Sequence, residues 1–134
     1  MSDQKPGPTI DPDSAPYWQA LIDERLIVKS CADCGKSHFY PRELCPHCHS
    51  DRLSWVDASG LGEIHSYTVC HRPAGPAFAG ETPYVVAIVE LDEGPRMMSR
   101  ITADWQAVRI GQRVKVRFER QSDDLTLPFF ELAP

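Results

Sequence analysis

Two Cys-x-x-Cys pairs, Cys31-Ala-Asp-Cys34 and Cys45-Pro-His-Cys48, stand ten residues apart. A tight turn carrying such a pair lets two thiolates reach one ion, and two such turns close a tetrahedral shell. Gly35 follows the first pair, where a backbone with positive φ is easily taken. Pro46 lies inside the second pair. The linker is shorter than the roughly fifteen to twenty residues of a common zinc-binding spacing, but it suffices for a short hairpin. Residues 31–52 are therefore expected to form a zinc ribbon, with Cys31, Cys34, Cys45 and Cys48 as ligands of a structural Zn2+. Four cysteines leave no open position for water or substrate, which disfavours hydrolysis at this centre. His38, His47 and His49 are close in sequence and are expected beside the metal rather than on it. Thiolate softness does not separate zinc from iron, so a rubredoxin-like electron carrier stays open at this point.

The metal pairs also bear on location. Four of the five cysteines belong to them, which points to a reducing cytoplasm rather than a disulfide framework. No apolar run reaches the length of a membrane span, and MSDQKPGPTIDPDSAP lacks the apolar core of a secretory signal. With 134 residues, 42% of them hydrophobic, the chain has material for one ordinary domain or two very small ones. Net charge is -5, and neither half is basic: residues 1–52 hold eight acids and six bases, residues 53–134 eleven acids and eight bases. Nucleic-acid affinity draws heavily on clustered cations, so this balance argues against it.

Residues 1–13 lack periodicity and read as a flexible arm. Residues 14–30 read as an N-terminal helix, with Ser14 as N-cap, Pro16 in the first turn, and an apolar stripe of Tyr17, Trp18, Leu21, Ile22 and Leu26. Such a helix either packs on its own domain or docks on a partner. Beyond the ribbon the period changes to two. LSWVDA and GEIHSYTVCHR read as strands, and PYVVAIVELDE as a strand buried on both faces. RMMSRIT reads as its return, with Thr102 capping a short helix. RVKVRFER alternates cleanly, and LPFFELA closes the series. The expected fold is mainly β: an N-terminal helix, a rubredoxin-like zinc ribbon, then a five-stranded OB-type Greek-key barrel over residues 53–134. The Pro/Gly loop 71–83 is long for a small domain and carries Phe78, which with Trp18 is a candidate for partner contact.

Catalytic groups are sparse. Cys70 and His71 adjoin, but neighbours on a strand point to opposite faces. No phosphate-binding glycine loop and no G-x-S-x-G is found. A binder or subunit fits better than a self-sufficient enzyme.

The ordered series of the Tyr17-Trp18 helix, CADCG, YPRELCPHC, Trp55 with SGLGEIHSYTV, PYVVAIVELDEG and IGQRVKVRF resembles a known family. It is the zinc-ribbon and OB-fold proteins long catalogued as domain of unknown function thirty-five and described as acyl-CoA-associated. The resemblance runs from about residue 16 to 132; His49 stands where many ribbons carry glycine. It implies an accessory subunit of a thiolase-like enzyme, or of an acyl-CoA hydratase-like one, acting on acyl-CoA or related acyl thioesters by acyl transfer, thiolysis or aldol cleavage, including in steroid metabolism. The partner would supply the catalytic groups, and this chain would complete the substrate channel. The resemblance carries over Cys31, Cys34, Cys45 and Cys48 as ligands. Chemistry adds Lys36 and Arg42 as candidates for CoA phosphates, and Phe39 and Tyr40 for adenine stacking. The competing readings are a ribbon core built from Phe39 and Tyr40, and a barrel that binds single-stranded nucleic acid through RVKVR.

Overall fold

A computed structural model describes residues 5–134; the first four residues of the expected arm lie outside the described residues. Helix α1 spans Ala15–Ile22. Ser14 precedes it but makes no side-chain cap. Its Oγ instead donates to Asp11 Oδ1 at 2.8 Å, and its backbone N–H reaches the same oxygen at 2.9 Å. The helix ends well before residue 30. Glu24 takes a left-handed backbone (φ 57°), and the Arg25 N–H returns to the Ala20 carbonyl at 2.8 Å. That reversal sends the β-branched Ile27 and Val28 into strand β1, Ile27–Cys31, where their branching is favoured.

Strand β1 is the centre of a three-stranded antiparallel sheet, between β2, Ser37–His38, and β3, Leu53–Asp57. Register runs from Ile27 opposite Asp57 to Cys31 opposite Leu53. LSWVD thus belongs to the ribbon sheet and not to the barrel. Trp55 is half-buried against the core, and the Lys29 ammonium lies 4.9 Å from its ring centre.

The barrel consists of β4 (Leu61–Cys70), β5 (Tyr84–Leu91), β6 (Arg96–Ile101), β7 (Arg113–Ser122) and β8 (Leu125–Leu132). It closes in the order β4-β5-β6-β8-β7, antiparallel except at β6–β8. Closure removes the free edges a small sheet would otherwise expose. β5 is buried on one face only, through Val85, Ala87, Val89 and Leu91. Tyr84, Val86, Ile88 and Glu90 are half-covered on the outside. A one-turn 3-10 helix, Trp105–Ala107, precedes β7. Its cap is Asp104, which accepts from the Gln106 N–H at 3.0 Å; the Thr102 N–H is committed to the Phe130 carbonyl at 2.8 Å.

Tyr17, Trp18, Leu21 and Leu26 join Ile64, Val89, Val114 and Phe130 in one continuous core. Ribbon, helix and barrel therefore share their apolar interior. The short link between ribbon sheet and barrel turns at Gly60, whose φ is +80°; a Cβ there would stand 2.4 Å from Val116 Cγ1. Gly60→Ala is expected to cost about 1–3 kcal/mol, from a left-handed non-glycine residue added to that collision. A urea midpoint unchanged from the parent would contradict it.

Candidate metal centre

Both cysteine turns have the same local design. In the first, the Gly35 N–H donates to the Cys31 carbonyl at 2.9 Å and the Cys31 N–H to the Lys36 carbonyl at 3.0 Å. In the second, the His49 N–H donates to the Cys45 carbonyl and the Cys45 N–H to the Ser50 carbonyl, both at 2.8 Å. Gly35 and His49 occupy the equivalent place, four residues after the first cysteine, and both have positive φ, 75° and 67°. His49 thus adopts the glycine conformation at some backbone cost, and the turn geometry survives the replacement.

The four sulfurs lie within 4.8 Å of one another. Cys31 Sγ is 3.6 Å from Cys48 Sγ, and Cys34 Sγ is 3.6 Å from Cys45 Sγ. Zinc–sulfur bonds of about 2.3 Å in a tetrahedron require sulfurs roughly 3.8 Å apart, so the set fits that ion. Its protonation agrees. The Cys31 thiol is drawn down to about 6, first by the Cys34 backbone N–H. The Cys48 thiol is pushed up to about 12: the Ser50 backbone N–H lowers it, but desolvation and the other three sulfurs outweigh that pull. Such a cluster resists losing all its protons until a dication joins it. Outside the sulfurs, Asp33 accepts from Ser50 Oγ and pairs with Arg52 at 2.5 Å, tying the first turn to the strand entering β3.

His38 is buried on β2, only 4% exposed, and neither ring nitrogen has a hydrogen-bond partner. It is not among the grouped ligands. Burial lowers its pKa, and the positive neighbours Lys29, His47 and Arg42 lower it further. A histidine whose folded pKa is depressed stabilises the fold above its ordinary pKa near 6.5 and loses that contribution as pH falls through the folded value. Between pH 7.5 and 5.5 the wild type is therefore expected to lose more unfolding free energy than His38→Phe. Parallel loss in both proteins would show that His38 does not titrate against the fold.

The four proposed ligand contacts do not converge. Lys36 and Arg42 are exposed, and the Arg42 carbonyl accepts from Lys29 Nζ at 2.9 Å. Arg42 borders a shallow depression with Asp13, Leu44 and Pro46. Phe39 and Tyr40 turn instead towards α1, with ring centroids 5.4 and 5.8 Å from Tyr17. Trp18 is 9% exposed, and its indole N–H donates to the Tyr40 hydroxyl at 3.1 Å. Phe78 sits on a 3-10 turn, Pro76–Glu81, with Lys5 and Arg100 near its ring at 5.6 and 5.9 Å. On the RVKVR face, Arg113 makes two bonds to Asp92, at 2.8 and 2.7 Å, and Arg117 pairs with Glu119 at 3.3 Å. That pairing removes most of the cationic track a nucleic-acid groove needs.

The ribbon and barrel each match a family model. Residues 18–54 match the ChsH2 rubredoxin-like zinc ribbon domain, and residues 55–119 the ChsH2 C-terminal OB-fold domain. A DUF35 domain-containing scaffold protein of Methanothermobacter thermautotrophicus is 40% identical over 101 residues, covering 74% of this chain and 75% of that protein. The chain belongs to the DUF35 family. A further relative, from Thermomonospora curvata, is named a probable enoyl-CoA hydratase alpha subunit. It is 38% identical over 130 residues, 96% of this chain but only 40% of the relative's own length. Among solved structures, a chain of the Ltp2-ChsH2(DUF35) aldolase superposes with a TM-score of 0.85 at 38% identity, covering 96% of this chain and all of that one. The ribbon model's match covers all four cysteines and makes their centre a zinc-ribbon site. Among the described residues, no helix is long and apolar enough to cross a membrane.

Proposed function

We propose that this chain is a non-catalytic accessory subunit of a thiolase-like enzyme acting on acyl-CoA or a related acyl thioester, by acyl transfer, thiolysis or aldol cleavage. The observation that carries the reading is the end-to-end similarity to one chain of a two-protein aldolase. The hydratase subunit name of the longer relative supports the same substrate class and makes a hydratase-like protein a second partner. The disposition of nucleophiles is consistent with an accessory role. Four thiols belong to the metal cluster; Cys70 ends β4, and the neighbouring His71 is set edge-on to Trp105 at 5.5 Å. In this reading the zinc is structural, the complex works in the cytoplasm, and the thiolase-like subunit brings the catalytic cysteine and histidine. Lys36 and Arg42, both exposed on the ribbon, are the candidates for contact with a CoA phosphate.

The test is co-expression with the thiolase-like protein of the same host, followed by gel filtration and an acyl-CoA turnover assay. Co-elution with raised turnover is expected. Separate elution with unchanged turnover would sink the reading.

A further inference from the structure

The outer face of β8 differs from that of the neighbouring strand β7. Across the β7–β8 ladder, Val116 faces Phe130 and Phe118 faces Pro128 on the inner side, while Arg117 faces Phe129 and Glu119 faces Leu127 on the outer side. Outward positions of β7 are charged, as a solvated surface requires. Those of β8 are Leu125, Leu127 and Phe129, with Glu131 at its end. A run of three large apolar side chains on the outside of a small barrel needs a cover.

One end of this stripe has one. The chain's own segment Lys5–Pro8 lies over Leu125 and Leu127 beside Phe78, held by an ion pair of 2.7 Å between Lys5 and Glu81. Glu81 also binds Arg100 at 2.6 Å, and Arg100 lies 4.2 Å from the Tyr84 ring centre and 5.5 Å from that of Phe129. The stripe continues past Leu127 into a second cleft of about 290 Å³, where β6 and β8 separate beneath α1 and the ribbon. Here Phe129, Met98 and Tyr40 are its open walls, and Trp18 forms part of its floor. Met98 is 66% exposed and Tyr40 38% exposed.

We infer that this open cleft is the docking point for an apolar anchor side chain of the partner enzyme. The inference rests on the accessory-subunit reading above. Four observations select that occupant. The cleft is at the small end of the range for ligand pockets, room for one or two side chains rather than a cofactor. Its few polar groups are mostly engaged: the Ser99 hydroxyl donates to the Pro128 carbonyl and the Tyr40 hydroxyl accepts from Trp18. The Tyr40 O–H is the one donor left at the rim, little to orient a polar ligand. The cleft also shares Leu127 with a second pocket, one wall of which is polypeptide, the chain's own segment Lys5–Pro8. The flanking charges are internally neutralised, Arg96 by Glu90 and Arg100 by Glu81. A hydrophobic contact core inside a paired polar rim is the arrangement of a protein interface. Trp18 and Phe78, the two aromatics singled out for partner contact, stand at its two ends, Trp18 from beneath.

Met98→Glu places a charge in the cleft without touching the core. Ile110→Glu is the control, at a position equally exposed (67%) before β7 and outside the cleft. Binding of each to the host's thiolase-like protein is measured by titration calorimetry, with thermal melting as a fold check. Met98→Glu is expected to weaken binding by roughly thirtyfold or more, the loss an interface anchor produces, while Ile110→Glu binds as wild type. Equal binding by wild type and Met98→Glu would overturn the assignment of this face. So would wild type that forms a dimer alone and loses it on Met98→Glu, or acyl-CoA binding by the isolated chain that Met98→Glu abolishes. Absence of wild-type binding to any thiolase-like protein would instead strike at the accessory-subunit reading itself.

Discussion

Cys45→Ser is expected to release the metal and unfold residues 27–57 while the barrel stays assembled. A structural zinc contributes on the order of 10–16 kcal/mol to a small ribbon, comparable with or above the roughly 5–15 kcal/mol that stabilises whole domains. Little else holds this ribbon. Its sheet has a two-residue strand on one side, and its second cysteine turn carries no regular structure. Serine is a poor substitute for a thiolate, and Cys45 is the fully buried member of its pair. The barrel's hydrogen-bonded circuit does not pass through the ribbon, since β4-β5-β6-β8-β7 closes on itself. Elemental analysis is expected to give one zinc per wild-type chain and none in the variant. Hydrogen exchange should show β1 and β3 unprotected with β5 and β7 still slow. Exchange that collapses in β5 and β7 as well would mean that ribbon and barrel unfold as one unit, an outcome their shared core makes worth testing.

What was legible in the sequence follows from how local each signal is. The cysteine spacing needs only two turns, and both formed as the pairs imply. RVKVRFER alternates because one face of β7 is wet and the other dry, and the period survives intact. The readings that missed were those in which a distant surface sets the outcome. Leu26 lies at helical spacing from Ile22, yet the backbone reversal at Glu24 turns it and its β-branched followers into a strand paired with residues 53–57. LSWVD looked like the first barrel strand because period two does not say which sheet a strand joins. The candidate ligand residues are neighbours in sequence, but Phe39 and Tyr40 both pack against Tyr17 of α1 while Arg42 is exposed beside Asp13 and Leu44. The open cleft had a signal that went unused. LTLPFF places apolar residues at three successive outward positions of β8, a run that a solvated barrel wall does not tolerate without a cover.

Tyr17→Ala is the second large effect expected, and it separates coupling from metal. Tyr17 is 2% exposed, with ring centroids 5.0 Å from Trp18, 5.4 Å from Phe39 and 5.8 Å from Tyr40. Burial pushes its phenol well above the ordinary tyrosine range. The side chain is thus the point where helix, ribbon linker and barrel core meet. Truncating a buried aromatic costs about 3–5 kcal/mol through lost transfer energy and the cavity left behind. Tyr17→Phe keeps the ring and is expected to cost far less. The metal ligands lie on turns whose hydrogen bonds are internal to the ribbon, so Tyr17→Ala should keep its zinc while its urea midpoint falls steeply. The floor of the open cleft includes Tyr17 and Trp18, so the same variant should also bind the partner enzyme less well than its residual folding accounts for. Loss of zinc in Tyr17→Ala would show that the ribbon depends on the helix for its fold. A cost below about 1 kcal/mol would show that the aromatic cluster packs without coupling the two parts.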